Sequence, residues 1–96
     1  MRQIEKMMVQ AVNNGVNFAL NNTRVDVCSG GIYVYLHNNC IYHKENDGTV
    51  NITLHGWNTA TTRSRLHALG VNICQKNWTP YLNGQPIDSY KWYQIN

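Results

Sequence analysis

The first fifteen residues carry a hydrophobic pattern with a helical period. Its apolar residues, three or four positions apart on one side, are Ile4, Met7, Met8, Ala11 and Val12, and Gly15 follows them. This spacing gives a helix one apolar stripe, and glycine is common just beyond a helix end. The pattern therefore predicts an amphipathic helix over residues 2–14 that packs on a sheet.

From residue 16 to residue 54 the apolar positions alternate with a period of two, which is typical of half-buried strands. Turn sequences such as Ser29-Gly30-Gly31 and Asp47-Gly48 separate the alternating runs. The pattern predicts a meander of antiparallel strands near residues 23–28, 31–37, 40–45 and 49–54, with a short piece at 16–20. Alternation places Tyr33 and Tyr35 on the face opposite the helices, with Tyr42 as a further candidate.

The second half of the chain predicts one more helix, over residues 59–69, which ends at Gly70. A short strand at 71–74, a hairpin around Asn83-Gly84 and an edge strand within 89–95 follow it. The expected fold class is α+β with two layers, in a single domain spanning residues 1–96. An antiparallel meander of four to six strands packs against the N-terminal helix and the short second helix.

Composition and charge exclude several classes of protein. The chain has 96 residues, 43% of them hydrophobic, which is enough for one packed core. The longest apolar run, residues 32–36, is too short to span a membrane, and the N-terminus does not resemble a secretory signal. The formal net charge of +3 lies entirely in residues 49–96, and this imbalance permits an anionic partner.

Residues 56–70 read GWNTATTRSRLHALG and concentrate hydroxyls and cations at the predicted start of the second helix. Asn58 or Thr59 can cap this helix, whose first turn leaves N–H groups unpaired at the positive end of the helix dipole. No acidic residue in the segment offsets that charge, so the helix start suits an external anion such as phosphate. The candidate ligand-binding residues are Trp57, Thr59, Thr61, Thr62, Arg63, Arg65 and His67. A solvated basic helix face would account for the same residues without a ligand.

Aromatic residues accumulate in the same basic half of the chain. Nucleic-acid bases stack on aromatic rings while their phosphates pair with arginine, so this mixture would suit a nucleic acid. It would equally suit contact with a partner protein or with a second copy of the chain. The candidate interaction surface consists of Trp78, Tyr90, Trp92 and Tyr93.

Metal and catalytic sites have weaker support in the sequence. The residues Cys28, His37, Cys40 and His43 could form a Cys2His2 zinc set, although strand alternation points several of them to opposite faces. The sequence contains no P-loop, no GxSxG, no HExxH and no dinucleotide-binding motif. We therefore expect no metal, no cofactor and no enzymatic activity.

The cassette Gly-Trp-x-Thr-x-Thr-Thr-Arg-x-Arg-Leu, followed by the YLNG hairpin and Trp92-Tyr93, resembles small accessory proteins of tailed bacteriophages. The resemblance covers roughly residues 30–95 and is most specific from Trp57 to Leu66. It implies a phage protein that works in the cytoplasm of the infected bacterial host. Anti-defence activity is prominent among small, non-enzymatic phage proteins, so the resemblance implies a role of that kind.

These observations lead to one expected function and two alternatives. The expected function is inhibition of a host immune system, such as CRISPR or a nucleotide-signalling system, by a protein that binds a phosphate-bearing small molecule at residues 57–67. The first alternative is a nucleic-acid-binding module. The second is a protein-interaction module that binds a host defence protein or forms a homo-oligomer, without any ligand. None of the three involves a membrane.

Overall fold

The computed structural model describes residues 1–96 and begins with helix α1 (Gln3–Asn14). Gly15 ends the helix at a φ of 64°, and its N–H donates to the carbonyls of Ala11 and Val12. This left-handed conformation disfavours residues that carry a Cβ. The predicted helix and its end are confirmed, but its buried stripe includes Glu5 as well as apolar residues.

The main sheet has six antiparallel strands, of which the first five form a meander in chain order. They are β1 (Phe18–Leu20), β2 (Thr23–Cys28), β3 (Gly31–Leu36), β4 (Asn39–Lys44) and β5 (Val50–Ile52). The C-terminal strand β9 (Tyr93–Gln94) pairs with β5 at the sheet edge. The structure therefore confirms both the predicted meander and the predicted edge strand in the tail.

A β-bulge in β4 changes the predicted position of Tyr42. Val34 pairs with Tyr42, whereas the next residue, Tyr35, pairs with Cys40, so Ile41 is an extra residue in β4. A bulge of this kind breaks the strict alternation of faces. Ile41 and Tyr42 are consequently both buried, and Tyr42 faces the core instead of the outer face.

Helix α2 (Ala60–Ala68) follows the meander and leads into a second, three-stranded sheet of β6 (Ile73–Lys76), β7 (Thr79–Leu82) and β8 (Gln85–Pro86). Two-residue turns, Asn77-Trp78 and Asn83-Gly84, connect its strands, and all four residues have positive φ angles. The hairpin at Asn83-Gly84 was predicted. The hairpin at Asn77-Trp78 was not, because tryptophan is unusual at a left-handed position.

One hydrophobic core joins these elements. Met8 and Val12 of α1 and Leu66 of α2 belong to the same buried cluster as Val34 and Ile52 of the main sheet. Both helices therefore pack on the inner face of the main sheet, as the two-layer prediction required. None of the helices has the length and apolarity needed to cross a membrane.

Candidate ligand-binding cleft

Thr59 is the residue that caps α2. Its backbone is extended, and its side-chain oxygen accepts a hydrogen bond from the Thr62 N–H at 3.1 Å. The hydroxyls of Thr59 and Thr62 are also hydrogen-bonded to each other, at 2.8 Å. The cap satisfies the third N–H of the helix and leaves those of Ala60 and Thr61 at the positive end of the dipole. The first turn contains no acidic residue.

A cleft of about 490 Å³ opens beside this helix start. Four of the seven predicted ligand-binding residues line it, namely Trp57, Thr59, Thr61 and Thr62. The Trp57 side chain is 60% exposed, so its ring is available to a ligand and is not buried under the helix. The structure thus gathers the hydroxyls, the free helix N–H groups and one large aromatic ring around a single concave surface.

The opposite wall of the cleft comes from the turn between β3 and β4 and consists of Leu36, His37 and Asn39. His37 has a φ of 52°, and its N–H donates to the Asn22 carbonyl at 2.9 Å, which holds the turn in place. Sequence reasoning placed His37 in a zinc set and missed its position beside Thr61. The sequence predicts only a turn at Asn38-Asn39. The position of this turn beside α2 is a tertiary contact, which local patterns do not predict.

Arg63 follows the cleft residue Thr62 in α2 but does not itself line the cleft. Its Nη1 donates to the backbone and side-chain oxygens of Asn58 and to Gln75 Oε1, the last at 3.1 Å. Asn58 in turn donates to Gln75 Oε1 at 2.8 Å and to the Trp78 carbonyl at 3.4 Å. The network ties the start of α2 to β6. The other two guanidinium nitrogens of Arg63 make no hydrogen bond within the chain, so they remain able to meet an anion.

Arg65 occupies a different environment from Arg63. Only 3% of the residue is exposed, and its Nη1 donates to Glu5 Oε2 at 2.8 Å. Its Nε donates to Thr23 Oγ1 at 3.0 Å, and its Nη2 to Asn22 Oδ1 at 3.3 Å. This guanidinium has its hydrogen-bonding partners inside the protein, so the prediction that it pairs with an external phosphate does not fit its position.

The carboxylate of Glu5 is held ionised by the same network. Burial by itself would raise the pKa of Glu5. Hydrogen bonds from Ser64, at 2.6 Å, and from Arg65, together with the positive charges of Arg65 and Arg2, outweigh burial and hold this pKa below its ordinary value. The Glu5–Arg65 pair therefore joins α1 to α2 as a buried ion pair.

His67 also lies away from the cleft. It is exposed and borders a separate depression between the two helices, beside Arg2 and Ser64. Although it follows Arg63 by one helical turn, it opens toward the N-terminus of α1 and not toward Thr61. His67, like Arg65, does not line the cleft.

The four predicted interaction residues do not form one surface, although two of them, Tyr90 and Trp92, border the same depression. Trp78 stands at the tip of the β6–β7 hairpin and is 86% exposed. Tyr90 packs its ring against Gly56, and Trp92 borders depressions on the outer face of the main sheet. Tyr93 is half-buried against the core, and its hydroxyl accepts a hydrogen bond from the Asp88 N–H at 2.8 Å.

The four candidate zinc ligands are dispersed as well. Cys28 ends β2, His37 is in the β3–β4 turn, and Cys40 and His43 are on β4. The structure contains no group of three or more histidine, cysteine or acidic side chains that could hold a metal ion. Burial raises the pKa of the Cys40 thiol, which makes it a poorer metal ligand and nucleophile.

The full length of the chain, residues 1–96, matches the family model described as Kyanoviridae Gp96 protein. The chain belongs to the Kyanoviridae Gp96 family. It is therefore a small bacteriophage protein, as its resemblance to phage accessory proteins implied. Comparisons of the chain with curated proteins and with solved structures found no match.

Proposed function

We propose that this member of the Kyanoviridae Gp96 family binds a phosphate-bearing small molecule in the cleft at the start of α2. The observation that carries the proposal is that Trp57, Thr59, Thr61 and Thr62 line one cleft, beside N–H groups that the helix cannot pair internally. The first turn has no acid to compete for those donors. Phosphate oxygens would accept from the N–H groups and from the Thr61 hydroxyl.

The remainder of the ligand would lie against Trp57. A nucleotide offers both parts that this arrangement accepts, because its phosphate suits the helix start and its base can stack on an exposed indole ring. Arg63 would add charge from the rim, through the guanidinium nitrogens that Asn58 and Gln75 do not use. No residue of the cleft is assigned a step in a reaction, so the proposed role is binding and sequestration.

The biological role we propose is inhibition of a host defence system, such as CRISPR or a nucleotide-signalling system, in the cytoplasm of the infected bacterium. A binding protein without enzymatic activity can block such a system by sequestering its signal. The support is the phage family and the cleft together. Phage growth on a host that carries a nucleotide-signalling defence should improve when this protein is supplied, and Thr61→Val should abolish the improvement.

The direct test is calorimetry with inorganic phosphate and with linear and cyclic nucleotides. Thr61→Val removes one hydroxyl from the cleft with little change of volume and should weaken binding about ten-fold or more. Thr79→Val is the matched control, because Thr79 is half-buried on β7 and does not line the cleft. Failure of every phosphate compound to bind, or equal binding by the two variants, would contradict the proposal.

A protein-interaction role is a second candidate, and Trp78 is the observation that favours it. This side chain is 86% exposed and occupies a left-handed position, with a φ of 67°, where glycine would be less strained. Exposed tryptophans are common anchors of protein interfaces. Capture of a host protein from lysate by the wild type, but not by Trp78→Ala, would support this role.

A further inference from the structure

The outer face of the main sheet carries a second concave surface. The inner row formed by Val25, Val34, Tyr42 and Ile52 packs under the helices, so residues one position along each strand point to the opposite face. Tyr33 and Tyr35 of β3 and His43 of β4 lie on that outer face, and all three are half-buried. No helix packs on this side of the sheet.

A cleft of about 400 Å³ lies on the outer face. Its lining consists of Tyr33, Tyr35, Cys40, His43, Asn51 and Trp92. None of these is a lysine, arginine, aspartate or glutamate. Burial is the main cause that raises the pKa of the Tyr35 phenol and of the Cys40 thiol, so both stay uncharged at neutral pH. The cleft is therefore aromatic, has no lysine, arginine, aspartate or glutamate in its lining, and is large enough for a planar ring system.

Neighbouring side chains hold the rings in place. The His43 ring stacks on Tyr33 with centroids 4.2 Å apart and planes 7° from parallel. The Arg24 guanidinium lies over the Tyr35 ring, 4.2 Å from its centroid. Tyr33 lies on β3, the neighbour of β4 on the side of β1, and covers one face of the His43 ring. Arg24 lies on β2, the neighbour of β3 on the same side, and covers one face of the Tyr35 ring. The other face of the His43 ring is left toward Asn51, its pairing partner on β5, and the other face of the Tyr35 ring toward Cys40, its pairing partner on β4.

Two polar groups could read the edge of a planar ligand. The side-chain amide of Asn51 makes no hydrogen bond within the chain, so its donor and its acceptor are both available. His43 Nε2 lies 3.2 Å from the Gly30 carbonyl oxygen. Because a carbonyl only accepts, Nε2 donates in this contact, and Nδ1 is the nitrogen left to a ligand.

We propose that this outer cleft binds a nucleobase. The base would stack on the open face of His43, with Tyr35 and Trp92 as side walls, and the Asn51 amide would pair with its edge. Asparagine and adenine present matching donor and acceptor pairs, and aromatic side chains on a sheet face are a known platform for unstacked bases. No lysine or arginine lines the cleft to pair with a phosphate, so the phosphate of a nucleotide would stay outside it.

The nucleobase could come from a free nucleotide or from a single-stranded nucleic acid. The outer cleft shares no lining residue with the cleft at the start of α2, so this inference does not depend on the proposed function. Adenosine distinguishes the two sites, because it has a base but no phosphate. Inorganic phosphate is the opposite probe.

The test uses Trp92 as a reporter. The chain has three tryptophans, so the double variant Trp57→Phe, Trp78→Phe keeps Trp92 alone. We expect adenosine, or a short single-stranded DNA, to quench Trp92 fluorescence. Asn51→Ala in this background should weaken the binding roughly ten-fold, as should Tyr35→Leu, which keeps a bulky apolar side chain without the ring face. Asn72→Ala, at an exposed position outside both clefts, is the matched control.

Each outcome decides part of the proposal. Quenching by adenosine supports a free nucleotide as the source, and quenching by the DNA strand alone supports a strand. The proposal is overturned if neither adenosine nor the DNA strand quenches Trp92 fluorescence. It is also overturned if indole binds as tightly as adenosine and Asn51→Ala leaves adenosine binding unchanged. The melting temperature of each variant separates lost binding from lost folding. Phosphate binding by Thr61→Val is measured independently, so either proposal can fail without the other.

Discussion

The two sides of α2 are built from neighbouring residues, yet their polar groups meet different partners. On the buried side, Arg65 and Ser64 donate to the carboxylate of Glu5, and every contact is internal. On the open side, Thr59 caps the helix, and the next hydroxyl, that of Thr61, borders a cleft. Residues on the first side should matter for stability, and residues on the second side mainly for binding.

The largest expected effect is that of Arg65→Ala. The substitution would leave the Glu5 carboxylate buried without its cation, which typically costs about 3–5 kcal/mol of stability. Urea denaturation of the wild type and the variant measures the difference. Arg63→Ala is the control, because Arg63 is only half-buried and hydrogen-bonds to uncharged groups. Equal losses in the two variants would remove the distinction between the two arginines.

The pH dependence of stability tests the same ion pair. The pKa of Glu5 is lowered in the folded state, so the pair contributes fully above the unfolded-state value of about 4.3. Its contribution is lost as the pH falls through the lower, folded-state pKa. The pKa of Asp47 is lowered as well, chiefly by a hydrogen bond from the Thr49 N–H, and the loss of this bond falls in the same pH range.

Melting curves of the wild type and of Glu5→Gln between pH 3 and pH 7 isolate the Glu5 contribution. The melting temperature of Glu5→Gln should fall less on acidification than that of the wild type, since only Asp47 and the other carboxylates then titrate. Parallel curves for the two proteins would show that the buried pair does not control acid stability.

A smaller effect is expected at the cap. Thr59→Ala removes the acceptor for the Thr62 N–H and should cost about 1 kcal/mol. Thr59→Asp keeps a good cap, so its stability should stay near that of the wild type, while its negative charge should weaken phosphate binding. Calorimetric unfolding combined with phosphate titration separates the two roles. If Thr59→Asp binds phosphate like the wild type, the open side of α2 is not an anion site.

The smallest effect is a gain in stability. Trp78→Gly removes the strain of a tryptophan in a left-handed conformation and little packing. We therefore expect the free energy of unfolding, measured by urea denaturation, to rise by about 0.5–1 kcal/mol. Gly84→Ala, in the neighbouring hairpin, should have the opposite sign because Gly84 has a φ of 81°. A loss of stability in Trp78→Gly would mean that the indole ring has a structural role.

Much of the fold could be predicted from local patterns. The two-residue alternation, the Asn83-Gly84 turn and the Gly15 stop each act over a few residues, so the strand order of the meander and the end of α1 followed from them. Tyr42 was misplaced because a bulge depends on how two strands pair. Glu5 is buried because Ser64 and Arg65 of α2 donate to its carboxylate, and the apolar spacing of α1 carries no sign of that pairing.

The candidate cleft was predicted in part. Its helix-start wall follows from the cassette at residues 57–62, because a capping threonine and the missing acid are properties of the sequence itself. Its other wall, with His37 and Asn39, depends on the β3–β4 turn lying against α2. The opposite roles of Arg63 and Arg65 are likewise not predictable from the sequence. Both arginines lie on one short helix, and their roles differ because tertiary packing gives them different neighbours.

The sequence by itself therefore determined the elements, the turns and the location of the positive helix start, all of which depend on backbone preferences and on side-chain periodicity. The tertiary structure alone decided which polar groups are buried and paired. Arg65 pairs with Glu5 sixty positions away, and Asn51 lines one cleft with Tyr35 and His43, each from a different strand. Such contacts depend on how helices and strands pack together, and local patterns carry no information about that packing.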